Sequence, residues 1–380
     1  MAHERDVDAV SKQLQVLKGE YTKLFGGANF IGVGDVHQIP PVVQYASDEQ
    51  VVAASVVSWP GWKALWKVEL QHAHRDGGDA RHSRFVDRCG TGQLSQANTT
   101  EDCTGLVKLD GLRTVDDLDQ LIDFVYPTPG SLEDHERAIL SCKNESVDDI
   151  NERVCSRLPG EWVECLSSDE VDGEDARDPL HMRGEDFLRT VSAWSFFARR
   201  LHGLTRMPLS VQLDTPGKVP PHRLRLKVNA KIMILRNLSP KDRLVNGTTA
   251  IVRAIKTTWL RVETADGLHH VIPRINFKID IKRCGYVVSR RQFPVRLAYA
   301  KTIHKAQGST LAAVGLDLRG EPFSHGQLYV AVGRARNGAS VAVLVNSGAC
   351  MGTSALSAVL IWCSSAVQGW LRTAWRCRRT

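Results

Sequence analysis

Val295-Arg296-Leu297-Ala298-Tyr299-Ala300-Lys301-Thr302-Ile303-His304-Lys305-Ala306-Gln307-Gly308-Ser309-Thr310 is the stretch whose reading decides the fold class. Its first six residues are mostly apolar and predict a strand. The polar residues that follow without a linker predict a helix start. A strand feeding directly into a helix is the working unit of α/β domains, and their ligands bind just beyond the carboxyl ends of the strands. Main-chain N–H groups at a helix start bind phosphate oxygens. Thr302, His304 and Lys305 add side-chain donors suited to a nucleic-acid backbone. A capped helix with exposed polar residues satisfies the local pattern as well.

Upstream, residues 222–289 have a different texture. Leu224, Leu226 and Val228 alternate with basic residues, and Ile232-Met233-Ile234-Leu235 follows. Asn246-Gly247 is a hairpin-turn pair, and Val252, Leu260, Val262, Val271 and Ile272 continue the short spacings. Short strands punctuated by turns predict a small β-barrel-like module, inserted here within an α/β domain. Residues 164–187 are acidic and read as a solvated loop. Ala138-Ile139-Leu140 predicts a strand, followed from Asn144 by a helix carrying Val147, Ile150, Val154 and Leu158. Residues 98–130 read as mixed and surface-lying, and 81–95 as helical. At the front, Val7, Val10, Leu14, Leu17, Tyr21 and Leu24 recur at spacings of three and four, predicting an amphipathic helix over 7–24 that stops at Gly26-Gly27. Phe30-Ile31-Gly32-Val33 reads as a short buried strand ending in Gly34-Asp35, with Pro40-Pro41 blocking an immediate helix. There are no internal repeats.

Composition bounds these readings. The 380 residues allow two or three domains, and 43% apolar with 24% charged residues is the profile of a soluble globular protein. A net charge of +7 permits a polyanionic partner without requiring one. The nine cysteines form no CxxC pair and are odd in number, which argues against a zinc site and a disulfide framework and for a reducing compartment. The N-terminus lacks the apolar core of a signal peptide. Residues 337–371 carry no charge, but Ser, Gly, Cys and Gln dilute them below what a membrane span needs. A buried C-terminal helix or an atypical tail is expected there instead.

Three more segments bear on chemistry. In Gly34-Asp35-Val36-His37-Gln38-Ile39-Pro40-Pro41-Val42, a strand-end Asp with Gln three residues on can meet a nucleotide's metal or terminal phosphate. In Leu70-Gln71-His72-Ala73-His74-Arg75, Arg75 could neutralise charge on a transferred phosphoryl group if it faces such a site. Gly326-Gln327-Leu328-Tyr329-Val330-Ala331-Val332-Gly333-Arg334-Ala335-Arg336 reads as a helix with Leu328, Ala331 and Val332 on one face. Arg334 emerges at its end, where it could serve as an arginine finger or simply suit the helix dipole.

Taken in order, these strings resemble the later motifs of Pif-one/RecD-like superfamily-1 DNA helicases. Arg137 through Asn151 resembles the opening strand and helix of that family's second RecA-like domain, and Leu226 through Thr248 its SH3-like barrel. The resemblance covers residues 7 to 346. It implies an α/β fold of tandem RecA-like domains, the first incomplete, with a small SH3-like β-barrel inserted in the second. The implied layout is a first-domain remnant over 1–95, a connecting segment over 96–134, the second domain over 135–217 and 290–346, the barrel over 218–289, and an atypical tail over 347–380. It also implies that Gln38 senses the γ-phosphate, that Arg75 and Arg334 stabilise it during hydrolysis, and that Gly34, Asp35, Gln307 and Gly308 lie at the nucleotide. Thr302, His304 and Lys305 would lie at single-stranded DNA. The implied cofactors are ATP and Mg²⁺, and the implied partner is DNA with a single-stranded end. The implied activity is 5′-to-3′ unwinding in DNA repair, recombination or telomere maintenance, in the nucleus or mitochondrion. Many eukaryotic copies of the family belong to Helitron-type transposons.

The sequence also departs from the family. No G-x-x-x-x-G-K-[ST] phosphate loop occurs, and no apolar strand ends in Asp-Glu to hold Mg²⁺. Asp48-Glu49 follows no apolar strand, and Asp169-Glu170 falls in the acidic segment. Ala306 and Gly333 stand where the family usually has serine. The expectation is a motor truncated at its front, inactive as an ATPase on its own.

Overall fold

A computed structural model of the chain describes residues 2–41, 43, 46–68, 70, 78–93, 106–109, 111–172, 219–281, 286–319, 326–345 and 358–360. They fall into two compact units: Met1–Val125 with Ile139–Lys143 and Thr302–Thr380, and Tyr126–Ala138 with Asn144–Lys301.

One five-stranded sheet has the strand order Ala300–Thr302, Arg137–Ser141, Ala313–Asp317, Val341–Leu344 and Arg113–Val115, and the last three strands lie wholly in the first unit. The strand Val341–Leu344 pairs in parallel with its neighbours on both sides. Every residue of Ala313–Asp317 and Val341–Leu344 is buried. That is the pattern of parallel strands covered on both faces, which show continuous apolar runs instead of alternation. The helix Leu118–Val125 buries Leu121, Ile122 and Val125 completely. It can lie flat because Gly315 has no side chain: a Cβ there would stand 2.8 Å from Val125 Cγ2 and 3.1 Å from Leu121 Cγ.

The second unit is mainly antiparallel. Its five-stranded sheet runs in the order His269–Pro273, Trp259–Thr264, Thr249–Ile255, Lys231–Ile234 and Val295–Leu297, with a register shift between Val252 and Ala254. Leu224, Leu226, Ile232, Ile234, Val252, Leu260, Val262 and Ile272 form its core. These are the residues that alternate in the sequence. Gly247, at φ +95°, turns the chain between two of the strands, and its N–H donates to Ile234 O. A three-stranded sheet of Ile275–Ile281, Tyr286–Gln292 and Ser168–Asp172 adjoins in sequence, as does the pair Val163–Leu166 and Arg223–Leu226.

Several sequence expectations are corrected. Residues 30–33 are not a strand. Ile31 and Val33 are 87% and 90% exposed, and among the described residues no strand pairs with them. A four-residue apolar run becomes a strand only where a neighbour takes up its N–H and C=O groups. The first helix spans Glu4–Lys18 and ends early because Gly19 adopts the left-handed conformation at φ 68°, its N–H returning to the last turn. Val10, Leu17, Tyr21 and Leu24 are exposed, whereas Ser11 is buried and accepts a hydrogen bond from Phe25 N–H at 3.0 Å. The 81–95 helix is Ala80–Thr91, capped by Asp79 at one end and by left-handed Gly92 at the other. The 98–130 segment is not wholly surface-lying, as the helix Leu118–Val125 shows.

The acidic stretch is not a loop over 163–172. Val163–Leu166 and Ser168–Asp172 are strands. Their charges are matched: Glu164 meets Arg223 Nε at 2.5 Å, and Asp169 receives the fully buried Arg290 from both Nε and Nη2. Residues 173–187 lie outside the described residues. Val295–Leu297 stays in the five-stranded sheet, so the return to the parallel sheet begins at Ala300. Downstream, Val341–Leu344 is a core strand and Ala358–Leu360 pairs with Leu106–Lys108, so neither belongs to a C-terminal helix. No helix among the described residues is long and apolar enough to cross a membrane. Among the described residues Cys89, Cys142, Cys155 and Cys165 form no disulfide, and burial pushes Cys142 up to about 11 and Cys155 up to about 12.

Candidate functional site

Three segments of the first unit, distant in sequence, converge on the loop of residues 34–39. Ile39, 2% exposed, anchors the loop. Asp35 folds it, since its Oδ1 accepts from His37 N–H at 2.9 Å and its backbone oxygen accepts from Gln38 N–H at 3.3 Å. Short Asx-type turns of this kind suit Asp, whose carboxylate reaches its own backbone two residues on.

Tyr329, on the helix Gln327–Val332, donates its hydroxyl to Asp35 Oδ2 at 2.6 Å. Gln307 Nε2 donates to Gln38 Oε1 at 2.5 Å, and Gln38 Nε2 makes a long 3.4 Å contact with Asp35 Oδ2. The His37 ring lies 5.9 Å from that of Tyr329. Burial works to raise the Asp35 carboxyl. Hydrogen bonds from the His37 side chain, from Tyr329 and from His37 N–H outweigh it and hold the group at about 2. Burial and then the bond to Asp35 push the Tyr329 phenol well up. At neutral pH the pair is therefore an anionic acceptor and a neutral donor.

The other predicted residues sit as follows. Gly34 is exposed at the loop's start. Gly308 turns the chain at φ +84° directly after Gln307. Arg334 is only 4% exposed, with Nε donating to Val330 O at 2.8 Å and Nη1 to Ser309 O at 3.2 Å. Its guanidinium is thus turned to backbone carbonyls, and Leu311 N–H donates to Arg334 O at 2.8 Å, tying the two segments together. Thr302 is buried as the residue before the single-turn helix Ile303–Ala306. His304 is half-buried, and burial lowers its pKa, while Lys305 is exposed. Arg75 lies outside the described residues. Among the described residues no group of three or more His, Cys, Asp or Glu could hold a metal.

Sequence reasoning missed Tyr329, His37 and two glycines. Tyr329 stood inside a quoted segment, but its partner is 294 positions away. A Cβ at Gly90 would stand 2.9 Å from the Tyr329 ring, and one at Gly326 2.6 Å from His37 O. The spacing of either glycine in the sequence signals nothing about that approach.

Comparison with known proteins finds likeness to one group of helicases over parts of the chain. Residues 1–99 match the family model of PIF1-like helicase, and residues 212–255 match that of the DNA helicase Pif1 2B domain. The human ATP-dependent DNA helicase PIF1 is 38% identical over 117 residues, covering 30% of this chain and 18% of that protein. The Xenopus laevis ATP-dependent DNA helicase PIF1 is 27% identical over 327 residues, covering 82% of this chain and 40% of that protein. Over these stretches the chain is similar to Pif1-like helicases.

A Pif1 helicase from Bacteroides, solved in complex with ADP-AlF3 and single-stranded DNA, has the same fold. Its TM-score is 0.61 at 18% identity, covering 100% of this chain and 74% of that one. Like it, this chain combines a RecA-like parallel sheet with separate antiparallel sheets. The chain spans between 18% and 40% of the length of these curated Pif1 relatives.

The residues present fit a nucleotide only in part. Gln38 and Gln307 bring amide groups suited to one side of a terminal phosphate. Arg334 is engaged elsewhere, and the sequence contains no phosphate-loop string to cradle the remaining oxygens.

Proposed function

We propose that this chain serves a DNA helicase motor by holding single-stranded DNA through Thr302, His304 and Lys305, with the 34–39 loop as the nucleotide-sensing element. In a motor with a complete ATP site the activity is 5′-to-3′ translocation and unwinding in genome maintenance, in the nucleus or mitochondrion. Alone, the chain neither binds ATP tightly nor separates duplexes, because it lacks the main grip on the phosphates. What supports the reading is the convergence of Asp35, Gln38, Gln307 and Tyr329 in one compact unit of a Pif1-like chain.

The test is fluorescence anisotropy of a labelled oligo-dT against the full chain, with and without ATP and Mg²⁺. Binding is expected to weaken steeply with salt and to ignore ATP, as backbone-directed contacts do. Lys305→Ala should weaken it and lower the salt slope by about 1, the signature of one lost phosphate contact. Absence of salt-dependent binding overturns the DNA reading. A DNA-stimulated ATPase well above background, abolished by Arg334→Ala, overturns the claim of inactivity.

A further inference from the structure

We propose that Tyr329 is a positioning residue: its hydroxyl pins the Asp35 carboxylate, and through it the loop that presents Gln38. The proposal rests on the sensing reading of that loop, and three observations carry it.

The first is the 2.6 Å bond from Tyr329 to Asp35 Oδ2, a charge-assisted contact of the stronger class. The second is that Asp35 uses its other oxygen to close the turn on His37 N–H, so one carboxylate joins the loop's fold to the helix Gln327–Val332. The third is the steric seat. Gly90 and Gly326 leave no room for a side chain, since a Cβ would fall 2.9 Å from the Tyr329 ring and 2.6 Å from His37 O respectively. The loop therefore rests directly on Gly326 and beside the tyrosine ring, and a shift of either carries the other.

The consequence falls on Gln38. Its amide nitrogen faces the pinned Asp35 carboxylate and its amide oxygen is taken by Gln307, so the side chain is held between the pinned loop and Gln307. Other ionisable groups acting on the pair are His37, Asp87 and Arg334. Tyr329 touches no reacting group. It acts by keeping Asp35 in place while Gln38 answers to whatever occupies the phosphate side.

Tyr329→Phe in the full chain removes the hydroxyl and keeps the ring. Hydrogen–deuterium exchange at the His37 and Gln38 amides is expected to speed up about tenfold or more, as loss of a hydrogen bond to a charged group implies. Exchange in Ala313–Asp317 and Val341–Leu344 should stay unchanged. Asp35→Ala should speed exchange further, because it also removes the acceptor of His37 N–H; Asp35→Asn should speed it less than Asp35→Ala because it keeps one accepting oxygen, and adding Tyr329→Phe to Asp35→Ala should change nothing more. The Asp35 carboxyl, followed by carbon NMR, should titrate above its starting value of about 2 in Tyr329→Phe.

Unchanged exchange and an unchanged titration overturn the proposal. So does faster exchange spread over the whole unit, which would make Tyr329 a packing residue only. Oligo-dT binding measured on the same samples keeps the two readings apart: its loss from the parent chain speaks against the DNA reading and leaves the exchange result standing.

Discussion

Lys231 shows what a single residue can hold together. It is 1% exposed, yet its ammonium has three acceptors: Arg137 O at 2.7 Å, Asp134 O at 2.9 Å and the Tyr126 hydroxyl at 3.3 Å. Its backbone N–H donates to the Tyr299 hydroxyl, and Tyr126 donates to Tyr299 O. Burial, then the nearby Lys301 charge, lowers its pKa to about 7. The folded value thus lies below the unfolded one, so the unfolded chain binds more protons between about 7 and the ordinary lysine range. Stability should therefore rise with pH through that window and be lost as pH falls through 7. Lys231→Met keeps the stem and removes the titration. Urea unfolding at pH 7 and pH 9.5 should show the parent gaining on the variant at the higher pH. A constant difference would show that the ammonium titrates normally. In the sequence Lys231 is only a basic residue before an apolar run; its burial follows from two tyrosines 105 and 68 positions away.

Among the elements, the strand Ala300–Thr302 owes its position to a side chain on a helix. Asn151, 3% exposed, accepts from Ala300 N–H at 2.8 Å and donates to Ala300 O at 3.1 Å. One amide thereby stands in for a neighbouring strand. Asn151→Ala leaves both groups buried without a partner, which costs about 1–3 kcal/mol for each. Denaturant unfolding should show a loss of that order, and a loss under about 0.5 kcal/mol, the range of surface substitutions, would mean that water or relaxation replaces the amide. The periodicity that predicted the helix from Asn144 did find its buried face in Val147, Ile150 and Val154, because apolar spacing is a local property. The same reasoning failed at residues 30–33. An apolar run carries no record of whether a partner strand is present.

For the whole molecule, each unit has a core of its own: Leu121, Ile122, Ile139, Val314 and Val343 in one, and Leu226, Ile232, Val252, Leu260 and Val262 in the other. Units with separate cores unfold separately when few interactions bind their transitions. Calorimetry should resolve two transitions, and a single one with matching calorimetric and van't Hoff enthalpies would show one cooperative body. The α/β class, the strand-rich insert and the order of the motifs were readable from the chain, because alternation, turn pairs and glycine breaks are short-range. The likeness to Pif1-like helicases was readable for the same reason, from strings in Gly34–Val42, Lys301–Thr310 and Gly326–Arg336. The company those strings keep was not.

The sequence by itself determined which segments could be strands or helices and which residues had the chemistry to meet phosphate or DNA. Only the tertiary structure decided that Tyr329 meets Asp35, that Gln307 meets Gln38, and that Arg334 turns to backbone carbonyls. The physical reason is that hydrogen-bond partners are chosen by burial. A donor removed from water must bond to whatever acceptor packing brings to it, and packing joins residues that spacing along the chain does not relate.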